Sequence, residues 1–345
     1  MNGLREAFAE QAGHCTGLES PFMGRLMSLC AKHWPDAGTV ADRANNWQGD
    51  IGPKSISLPL RIAGGLHALV LTEQAPALAA CYPPEEVADE ALWRAVTSAL
   101  QAHADFLLDW IESPPQTNEV RRATALIPVA HMLAARFDMP LRLSEVGASG
   151  GLNLNFDQFQ LRTGLECFGP ESDVRLTPEW SGPCPKPANV QVAERRGVDL
   201  NPLNPAEPDD ALRLLAYLWP DQADRMARTR AAIALPPAPV DRADAIDWLP
   251  DRLTPTPGQL RFVYSTIAWQ YLPEARRAEG QALIERAGQS ASDHSPLAWV
   301  RMEADASQDG AALTLKLWPG DHDLALARVD FHGRWIKWIG PVTLP

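Results

Sequence analysis

Residues 141–154 have the sequence Leu-Arg-Leu-Ser-Glu-Val-Gly-Ala-Ser-Gly-Gly-Leu-Asn-Leu. Apolar residues alternate at Leu141 and Leu143, which is typical of a strand that enters a core. Three glycines follow within five positions, and glycine lets a turn adopt positive φ and lets a ligand approach the backbone. A strand, a glycine turn and a helix start together favour a nucleotide-sized binding edge. A turn that only joins a core strand to a short helix explains the same pattern.

The residues before this strand predict helices. Apolar residues recur at spacings of three and four in residues 4–15, 21–33, 58–71, 84–111 and 118–137. Prolines such as Pro53 and Pro76 separate these stretches. We therefore expect an N-terminal helical cap region over residues 1–117.

The residues after Leu141 alternate between strand-like and helix-like stretches, which predicts a parallel sheet with helical crossovers. The expected strands cover residues 141–146, 190–200, 240–245, 259–264, 297–302, 313–318, 323–331 and 335–339. Residues 156–162 and 174–180 are expected to form a small β-ribbon, inserted at about 156–187. The second predicted domain spans residues 118–345.

Four segments at the ends of predicted strands carry polar or acidic residues. The first is the glycine turn, preceded by Glu145, and the second ends in Asp199. Asp244 and Asp247 follow the third strand, and a run of polar and aromatic residues, 264–273, follows the fourth. Ligands of open parallel sheets bind beyond the carboxyl ends of the strands, so these segments are expected to meet at one edge.

In these segments the chain resembles the class I S-adenosylmethionine-dependent methyltransferases. The resemblance implies a Rossmann-like, doubly wound, mostly parallel α/β sheet, with S-adenosylmethionine as the cofactor. In that family the glycine turn holds the methionine part, the acid after the second strand binds the ribose, and a polar residue after the third strand meets the adenine. The implied cofactor-binding residues are Glu145, Gly147, Ala148, Gly150, Asp199, Leu200, Asp244, Ala245 and Ser265.

The segment after the fourth strand lines the methyl-transfer site in that family. The implied catalytic residues are Tyr264, Thr266, Trp269 and Tyr271. Gln270 belongs to the same segment and is expected to contact the substrate. Asn118, Glu119 and Arg122 open the helix before the first strand, where a helix start can face the cofactor edge, and they are also expected to bind substrate.

Several of these residues have an ordinary structural alternative. Asp199 is also suited to capping the Asn-Pro turn that follows it, and Asp247 competes with Asp244 for its role. Trp269 and Tyr271 are equally suited to core packing. Surface ion pairing is the default for charges such as those at the helix start.

Across its whole length the chain resembles an uncharacterised bacterial family, a domain of unknown function with this methyltransferase-like core. The segments that carry this resemblance are 117–122, 145–154, 194–203, 218–222, 269–273 and 332–335. Asp199 lies further from the glycine turn than the ~20 residues usual in nucleotide-binding sheets. The inserted ribbon would account for this distance. The sequence contains neither an Asn-Pro-Pro-Tyr amino-methylation motif nor an active-site cysteine motif, so the acceptor is not readable.

The composition narrows the classes of partner. The net charge of −12 over 345 residues argues against broad binding of nucleic acid or anionic membranes through charge. No signal peptide or membrane-spanning run is visible, so the cytoplasm is the expected location. The spacing of the five cysteines and eight histidines predicts no metal site. A small-molecule substrate is expected, and no signal points to a particular oligomeric state.

The leading hypothesis is therefore a methyltransferase that uses S-adenosylmethionine on an unknown acceptor. A non-catalytic sensor or scaffold that binds S-adenosylmethionine or a nucleotide is the alternative of a different class. A nicotinamide-dependent oxidoreductase on the same type of sheet is disfavoured by the glycine spacing. The fold alone does not distinguish these functions.

Overall fold

A computed structural model describes residues 3–53, 55–307 and 309–345. The chain forms two compact units. The first comprises Met1–Thr117 and Glu207–Ala227, and the second comprises Asn118–Ala206 and Arg228–Pro345. The protein is a mixed α/β molecule with a large, mostly parallel sheet and many helices.

The α-helices, numbered in chain order, are α1 (Gly3–Gly17), α2 (Pro21–His33), α3 (Thr39–Asn45), α4 (Leu58–Leu71), α5 (Pro76–Ala79), α6 (Asp89–Ala102), α7 (Ala104–Glu112), α8 (Ala123–Phe137), α9 (Pro208–Ala216), α10 (Ala223–Ile233), α11 (Ala245–Leu253) and α12 (Glu274–Gln289). Short 3-10 helices cover Val120–Arg122, Leu152–Gln158 and Trp269–Tyr271. Among the described residues, no helix combines the length and the apolar character needed to span a bilayer.

The strands are β1 (Leu141–Val146), β2 (Gln160–Arg162), β3 (Cys167–Phe168), β4 (Arg175–Leu176), β5 (Glu179–Ser181), β6 (Val192–Asp199), β7 (Val240–Arg242), β8 (Leu260–Thr266), β9 (Leu297–Glu303), β10 (Ala311–Trp318), β11 (His322–Val329) and β12 (Trp335–Trp338).

Helices α1–α7 and α9 form the first unit. The apolar residues of α1–α7 face a common core, and the end of α9 packs with α4 and α7 in a smaller cluster. In α1 the buried side chains Leu4, Phe8 and Cys15 recur at helical spacing. The single helix expected over 84–111 is in fact two helices, α6 and α7, because the backbone leaves the helical conformation at His103. The apolar spacing continues across that residue, so the pattern does not reveal the break.

The second unit is built on one large sheet with the strand order β5-β12-β11-β10-β9-β8-β1-β6-β7. Neighbouring strands are parallel in the stretch β9-β8-β1-β6-β7. Neighbouring strands are antiparallel in the stretch β12-β11-β10-β9. Both faces of the sheet are covered. On one face, Phe262 and Tyr264 of β8 share a cluster with residues of α8. On the other face, Val263 packs with α11 and α12. Every residue of β8 is buried, as expected for a strand covered on both faces, although the strand includes Arg261 and ends in two polar residues.

The inserted β-ribbon expected at about 156–187 has a different form. Residues 152–158 are a 3-10 helix, and β2 pairs with both β3 and β4 in a separate three-stranded sheet. β5, which follows, pairs with β12 at the edge of the large sheet. The physical reason is burial, since Phe159 and Leu161 pack into the main core and tie the insertion to it.

We predict that Gly64→Ala destabilises the first unit. A Cβ on Gly64 would lie 2.5 Å from Cε1 of Tyr217, so the ring would have to move. Overpacking of this kind costs about 1–3 kcal/mol. Gly13→Ala is the matched control, because its Cβ would meet nothing within 4 Å. That change should be neutral or stabilise α1 by up to about 1 kcal/mol. Urea unfolding of both variants tests the prediction. Equal losses of unfolding free energy in Gly64→Ala and Gly13→Ala would contradict it.

Candidate functional site

The carboxyl ends of three parallel strands lie level with one another. Val146, the last residue of β1, is opposite Val198 of β6 and Ser265 of β8. The chain continues to β6 and β7 on one side of β1, and to β8 and β9 on the other side. A crevice at such a change of direction is where open α/β sheets bind ligands. The candidate site is therefore the edge of the sheet beyond β1.

The glycine turn after β1 depends on the left-handed conformation. Gly147 has φ +72°, Ser149 has φ +54° and Gly151 has φ +69°. The N–H groups of Gly147 and Ala148 both donate to the carbonyl of Val198, at 2.9 and 3.0 Å. The turn leads into a 3-10 helix, Leu152–Gln158, and not into an α-helix. The glycines therefore permit a turn that is held directly against β6, with Gly147 exposed and Gly150 buried.

Asp199, at the end of β6, is bonded to two segments of backbone. One carboxylate oxygen accepts the N–H of Ser149 at 2.9 Å, and the other accepts the N–H of Asn201 at 2.9 Å. Each carboxylate oxygen has a second lone pair, so Asp199 can still accept hydrogen bonds from a ligand. The neighbouring Leu200 is 71% exposed. The end of β6 thus offers a carboxylate and an apolar surface side by side.

Glu145 lies beneath the turn, in the core. Its carboxyl is buried and accepts a long hydrogen bond, 3.4 Å, from the hydroxyl of Tyr264 on the neighbouring strand. Burial raises the pKa of Glu145 well above its ordinary value, although the hydrogen bond from Tyr264 opposes this shift. Burial likewise raises the pKa of Tyr264, and the nearby Glu145 adds to the effect. The hydroxyl of Tyr264 also lies 3.4 Å from the carbonyl of Asn153, so Tyr264 connects Glu145 to the 3-10 helix that follows the turn.

Asp244 is used structurally. The strand expected over 240–245 ends at Arg242, and Asp244 instead caps α11 by accepting the N–H of Ile246 at 2.8 Å. Arg276 of α12 forms ion pairs with both Asp244 and Asp247. Burial alone would raise the pKa of Asp244, but the Arg276 hydrogen bond and the helix N–H groups together lower it. Ala245 is buried as the first residue of α11.

The polar run after β8 is organised by Glu303, at the end of β9. Its carboxylate accepts the hydroxyl of Ser265 at 2.7 Å and the N–H groups of Ala268, Trp269 and Gln270 at 3.2, 3.0 and 3.3 Å. The side chain of Gln270 accepts the N–H of Ala304 at 2.9 Å. The hydroxyl of Ser265, the three backbone N–H groups and the side-chain oxygen of Gln270 therefore have partners within the protein.

The two aromatic residues of that run have opposite environments. Trp269 is buried against Trp299, with ring centroids 5.3 Å apart, in an apolar cluster between the sheet and α12. Tyr271 is 75% exposed. Trp269 thus packs in the core, as its structural alternative requires, whereas Tyr271 lies at the surface.

The substrate-binding residues predicted before α8 lie next to the glycine turn. The side-chain oxygen of Asn118 accepts the N–H of Leu152 at 2.8 Å, and the carbonyl of Glu119 accepts the side-chain amide of Asn153 at 3.1 Å. Arg122 donates to the carbonyl of Thr266, at the end of β8, at 3.2 Å. These contacts attach the segment before α8 to the 3-10 helix that follows the glycine turn and to the end of β8.

A loop that the sequence analysis did not include as a site also reaches this edge. The loop between β11 and β12 contains Phe331, whose carbonyl accepts a hydrogen bond from Arg122 at 3.0 Å. In the same loop His332 lies with Nδ1 3.6 Å from Oε2 of Glu119. Gly333 has φ +71°, and a Cβ there would overlap the carbonyl of Arg121. The short sequence His-Gly-Arg-Trp was the only signal for this approach.

Three residues that contact the candidate site residues were thus missed from sequence, namely Glu303, Arg276 and His332. Each contacts a residue that is distant along the chain, and no local sequence pattern predicts such a pair. Within the described residues, no group of three His, Cys, Asp or Glu side chains is arranged to hold a metal ion.

The family of the chain follows from a comparison over nearly its full length. A family model described as "Uncharacterized protein conserved in bacteria (DUF2332)" matches residues 5–338. The chain belongs to this family. No curated protein and no solved structure matches the chain. The family match includes every segment that contributes to the candidate site.

We predict that Glu145→Gln changes how stability depends on pH. The raised pKa means that the folded protein holds the carboxyl proton more tightly than the unfolded chain. The stability from this group is therefore present at low pH and is lost as the pH rises through the raised pKa. Glutamine stays neutral at both pH values. The free energy of unfolding of the variant, minus that of wild type, should therefore be larger at pH 8 than at pH 5. Urea unfolding at both pH values measures this, and an identical difference at both would contradict it.

We also predict that Asp199→Asn destabilises the protein in the absence of any ligand. Asparagine offers one acceptor oxygen where the carboxylate offers two, so one of the N–H groups of Ser149 and Asn201 loses its partner. The expected loss is about 1–3 kcal/mol. Asp293→Asn, at an exposed position, is the control and should stay within about 0.5 kcal/mol of wild type. An unchanged urea midpoint for Asp199→Asn would remove the residue from this network.

Proposed function

We propose that this protein is an S-adenosylmethionine-dependent methyltransferase with a Rossmann-like sheet of the class I type. One observation carries the proposal. The glycine turn, the carboxylate of Asp199 and the exposed Leu200 all lie at the same sheet edge, where the strand order changes direction. The order β7-β6-β1-β8-β9 corresponds to the 3-2-1-4-5 order of doubly wound nucleotide-binding sheets, which supports the same conclusion.

The residues at this edge fit such a cofactor. Gly147, Ala148 and Gly150 would approach its methionine part, with Gly147 exposed at the turn. The free lone pairs of Asp199 would accept the ribose hydroxyls, and charge-assisted bonds of this kind are stronger than neutral ones. Leu200 would cover one face of the adenine, which is a role that explains its exposure.

The other cofactor-binding residues implied by the resemblance would support the site without touching the cofactor. Glu145 supports the glycine turn, Ser265 holds the β8 loop through Glu303, and Asp244 is committed to Arg276 and the N-terminus of α11. We therefore propose that Asp244 and Ala245 position α11, and that only the backbone beside them contacts the cofactor. The fit rests on Gly147, Asp199 and Leu200.

When bound, S-adenosylmethionine would supply an activated methyl group on a sulfonium centre. The protein would then contribute mainly by positioning a small-molecule acceptor and excluding water. Asn118, Glu119 and Arg122 lie at the acceptor side of this edge, joined to the glycine turn and to β8.

A non-catalytic sensor for the same cofactor is the second candidate. The observation that favours it is the burial of Tyr264, Thr266 and Trp269, three of the side chains that the resemblance implied for catalysis. No observation favours a nicotinamide-dependent oxidoreductase over these two.

Calorimetric titration with S-adenosylmethionine, S-adenosylhomocysteine and NAD in parallel tests the proposal. We expect both sulfur compounds to bind with one site per chain and NAD to give no heat of binding. Binding of NAD alone would replace this proposal with the oxidoreductase. Absence of binding by both sulfur compounds would overturn it. A substitution at Gly147 is unsuited to this test, because a Cβ there would overlap Ala268 and disturb the fold.

Leu200→Ala is the sharper variant. Its side chain is exposed, so removing it should leave stability unchanged while it removes apolar contact with the adenine. We predict that it weakens S-adenosylhomocysteine binding by about 1–2 kcal/mol, or five- to thirty-fold. Leu165→Ala, at a leucine that is 64% exposed in the loop between β2 and β3, is the matched control and should bind normally. Equal affinities for both variants would exclude Leu200 from the cofactor site.

A further inference from the structure

We propose that His332, oriented by Glu119, is the general base of this site, and that the acceptor is a phenol. The inference rests on the proposed function, since it concerns the acceptor side of the same edge. It adds a residue to which the sequence resemblance gave no role, and it names the chemical class of the acceptor.

The pair has the geometry of a base and its orienting carboxylate. Nδ1 of His332 lies 3.6 Å from Oε2 of Glu119, which is within ion-pair range and can shorten when a ligand binds. The Glu119 side chain is 2% exposed, whereas that of His332 is 30% exposed. A buried carboxylate facing Nδ1 favours the tautomer with the hydrogen on Nδ1, which leaves a lone pair on Nε2 to accept a proton.

Both members of the pair are held in place. The other oxygen of Glu119 accepts the N–H of Arg121 at 3.2 Å, which fixes the carboxylate at the start of the 3-10 helix. The carboxylate of Asp330 accepts the backbone N–H of His332 at 3.0 Å and the backbone N–H of Arg334 at 3.1 Å. The close approach of Gly333 to Arg121 then fixes the loop against that helix. A fixed backbone at His332 limits the positions that its imidazole can take, which favours proton transfer in a defined geometry.

The pair belongs to the candidate site through direct hydrogen bonds. Arg122 joins the His332 loop to the end of β8, because it donates to the carbonyls of both Phe331 and Thr266. The backbone carbonyl of Glu119 accepts the side-chain amide of Asn153, in the helix that follows the glycine turn. The base therefore shares the sheet edge with the turn and with the segment after β8.

The surroundings indicate an aromatic acceptor. Tyr271 and Phe331, which follow β8 and β11 at this edge, rank among the exposed large apolar side chains of the described residues. Exposed aromatic rings bind the ring of a ligand well, through apolar area and offset stacking. A hydroxyl acceptor must also lose its proton to become a good nucleophile, so it requires a base. A neutral amine acceptor can attack through its lone pair without one. An aromatic ring bearing a hydroxyl, a phenol, satisfies both conditions.

The reaction balances with the groups named. The phenol hydroxyl gives its proton to Nε2 of His332, the phenol oxygen bonds to the methyl carbon, and the electron pair of the broken carbon–sulfur bond stays on sulfur. The imidazolium, stabilised by Glu119, then releases the proton to solvent. No oxidant or reductant takes part.

The first test is chemical labelling of His332 by diethyl pyrocarbonate, read by mass spectrometry in the presence of S-adenosylhomocysteine. This reagent attacks an unprotonated ring nitrogen. We expect 4-methylphenol, at ten times its dissociation constant, to slow labelling of His332 about tenfold by simple occupancy. His294, which is exposed and distant in sequence from the site, is the internal control and should label at an unchanged rate. Equal rates at His332 with and without 4-methylphenol would overturn the proposal.

The second test measures methyl transfer to two phenols. 4-Methylphenol ionises near pH 10, as tyrosine does, and needs a base at neutral pH. 4-Nitrophenol is far more acidic, because its nitro group delocalises the charge of the phenolate. A substantial fraction of it is therefore already ionised at neutral pH and does not need a base. His332→Asn should lower transfer to 4-methylphenol about 100-fold or more, and leave transfer to 4-nitrophenol within a few-fold of wild type. Glu119→Gln should lower only the first rate, by about tenfold or more. His294→Asn should leave both rates unchanged.

The outcomes separate this inference from the proposed function. A wild-type protein that binds S-adenosylhomocysteine yet methylates neither phenol overturns the acceptor assignment and leaves the methyltransferase proposal standing. Equal losses on both phenols in His332→Asn, with normal circular dichroism and normal S-adenosylhomocysteine affinity, assign His332 to phenol binding and overturn its role as a base. Failure to bind S-adenosylhomocysteine ends both proposals.

Discussion

The hydrogen bond from the N–H of Ser149 to the carboxylate of Asp199 joins the glycine turn to the end of β6. The turn is built from residues with positive φ, so it needs such an anchor to hold one conformation. With the turn fixed, the 3-10 helix of Leu152–Gln158 can meet Asn118 and Glu119. The glycine-turn side of the sheet edge therefore depends on a carboxylate that is bonded to backbone on both sides, together with the bonds from Gly147 and Ala148 to Val198.

Arg122 has the complementary role on the other side of β1. A guanidinium can donate several hydrogen bonds in fixed directions, and Arg122 uses this to hold the carbonyls of Thr266 and Phe331 together. This is how a loop between two antiparallel strands comes to lie beside the end of a parallel strand. The proposed cofactor side and acceptor side of the site are thus held by two different charged groups, Asp199 and Arg122.

The segment after β8 shows why a polar run is an ambiguous signal. Ser265, Trp269 and Gln270 provide hydrogen-bonding groups in close succession, which is typical of a pocket that faces a ligand. Here one carboxylate, Glu303, accepts most of these groups and keeps the run inside the protein. A single residue at the end of the next strand therefore converts an apparent ligand-binding surface into a supporting layer.

The sequence by itself determined the local features of this protein: the β1 strand from its alternation, the turn from its glycines, and the helical and sheet-bearing parts from their periodicity. These depend on φ preferences and on the spacing of apolar residues, which act between near neighbours along the chain. Only the tertiary structure decided that Trp269 is buried, that Asp244 pairs with Arg276, and that His332 faces Glu119. Each of these depends on the strand order and on close packing, which bring together residues that are far apart in sequence and carry no local mark of their partners.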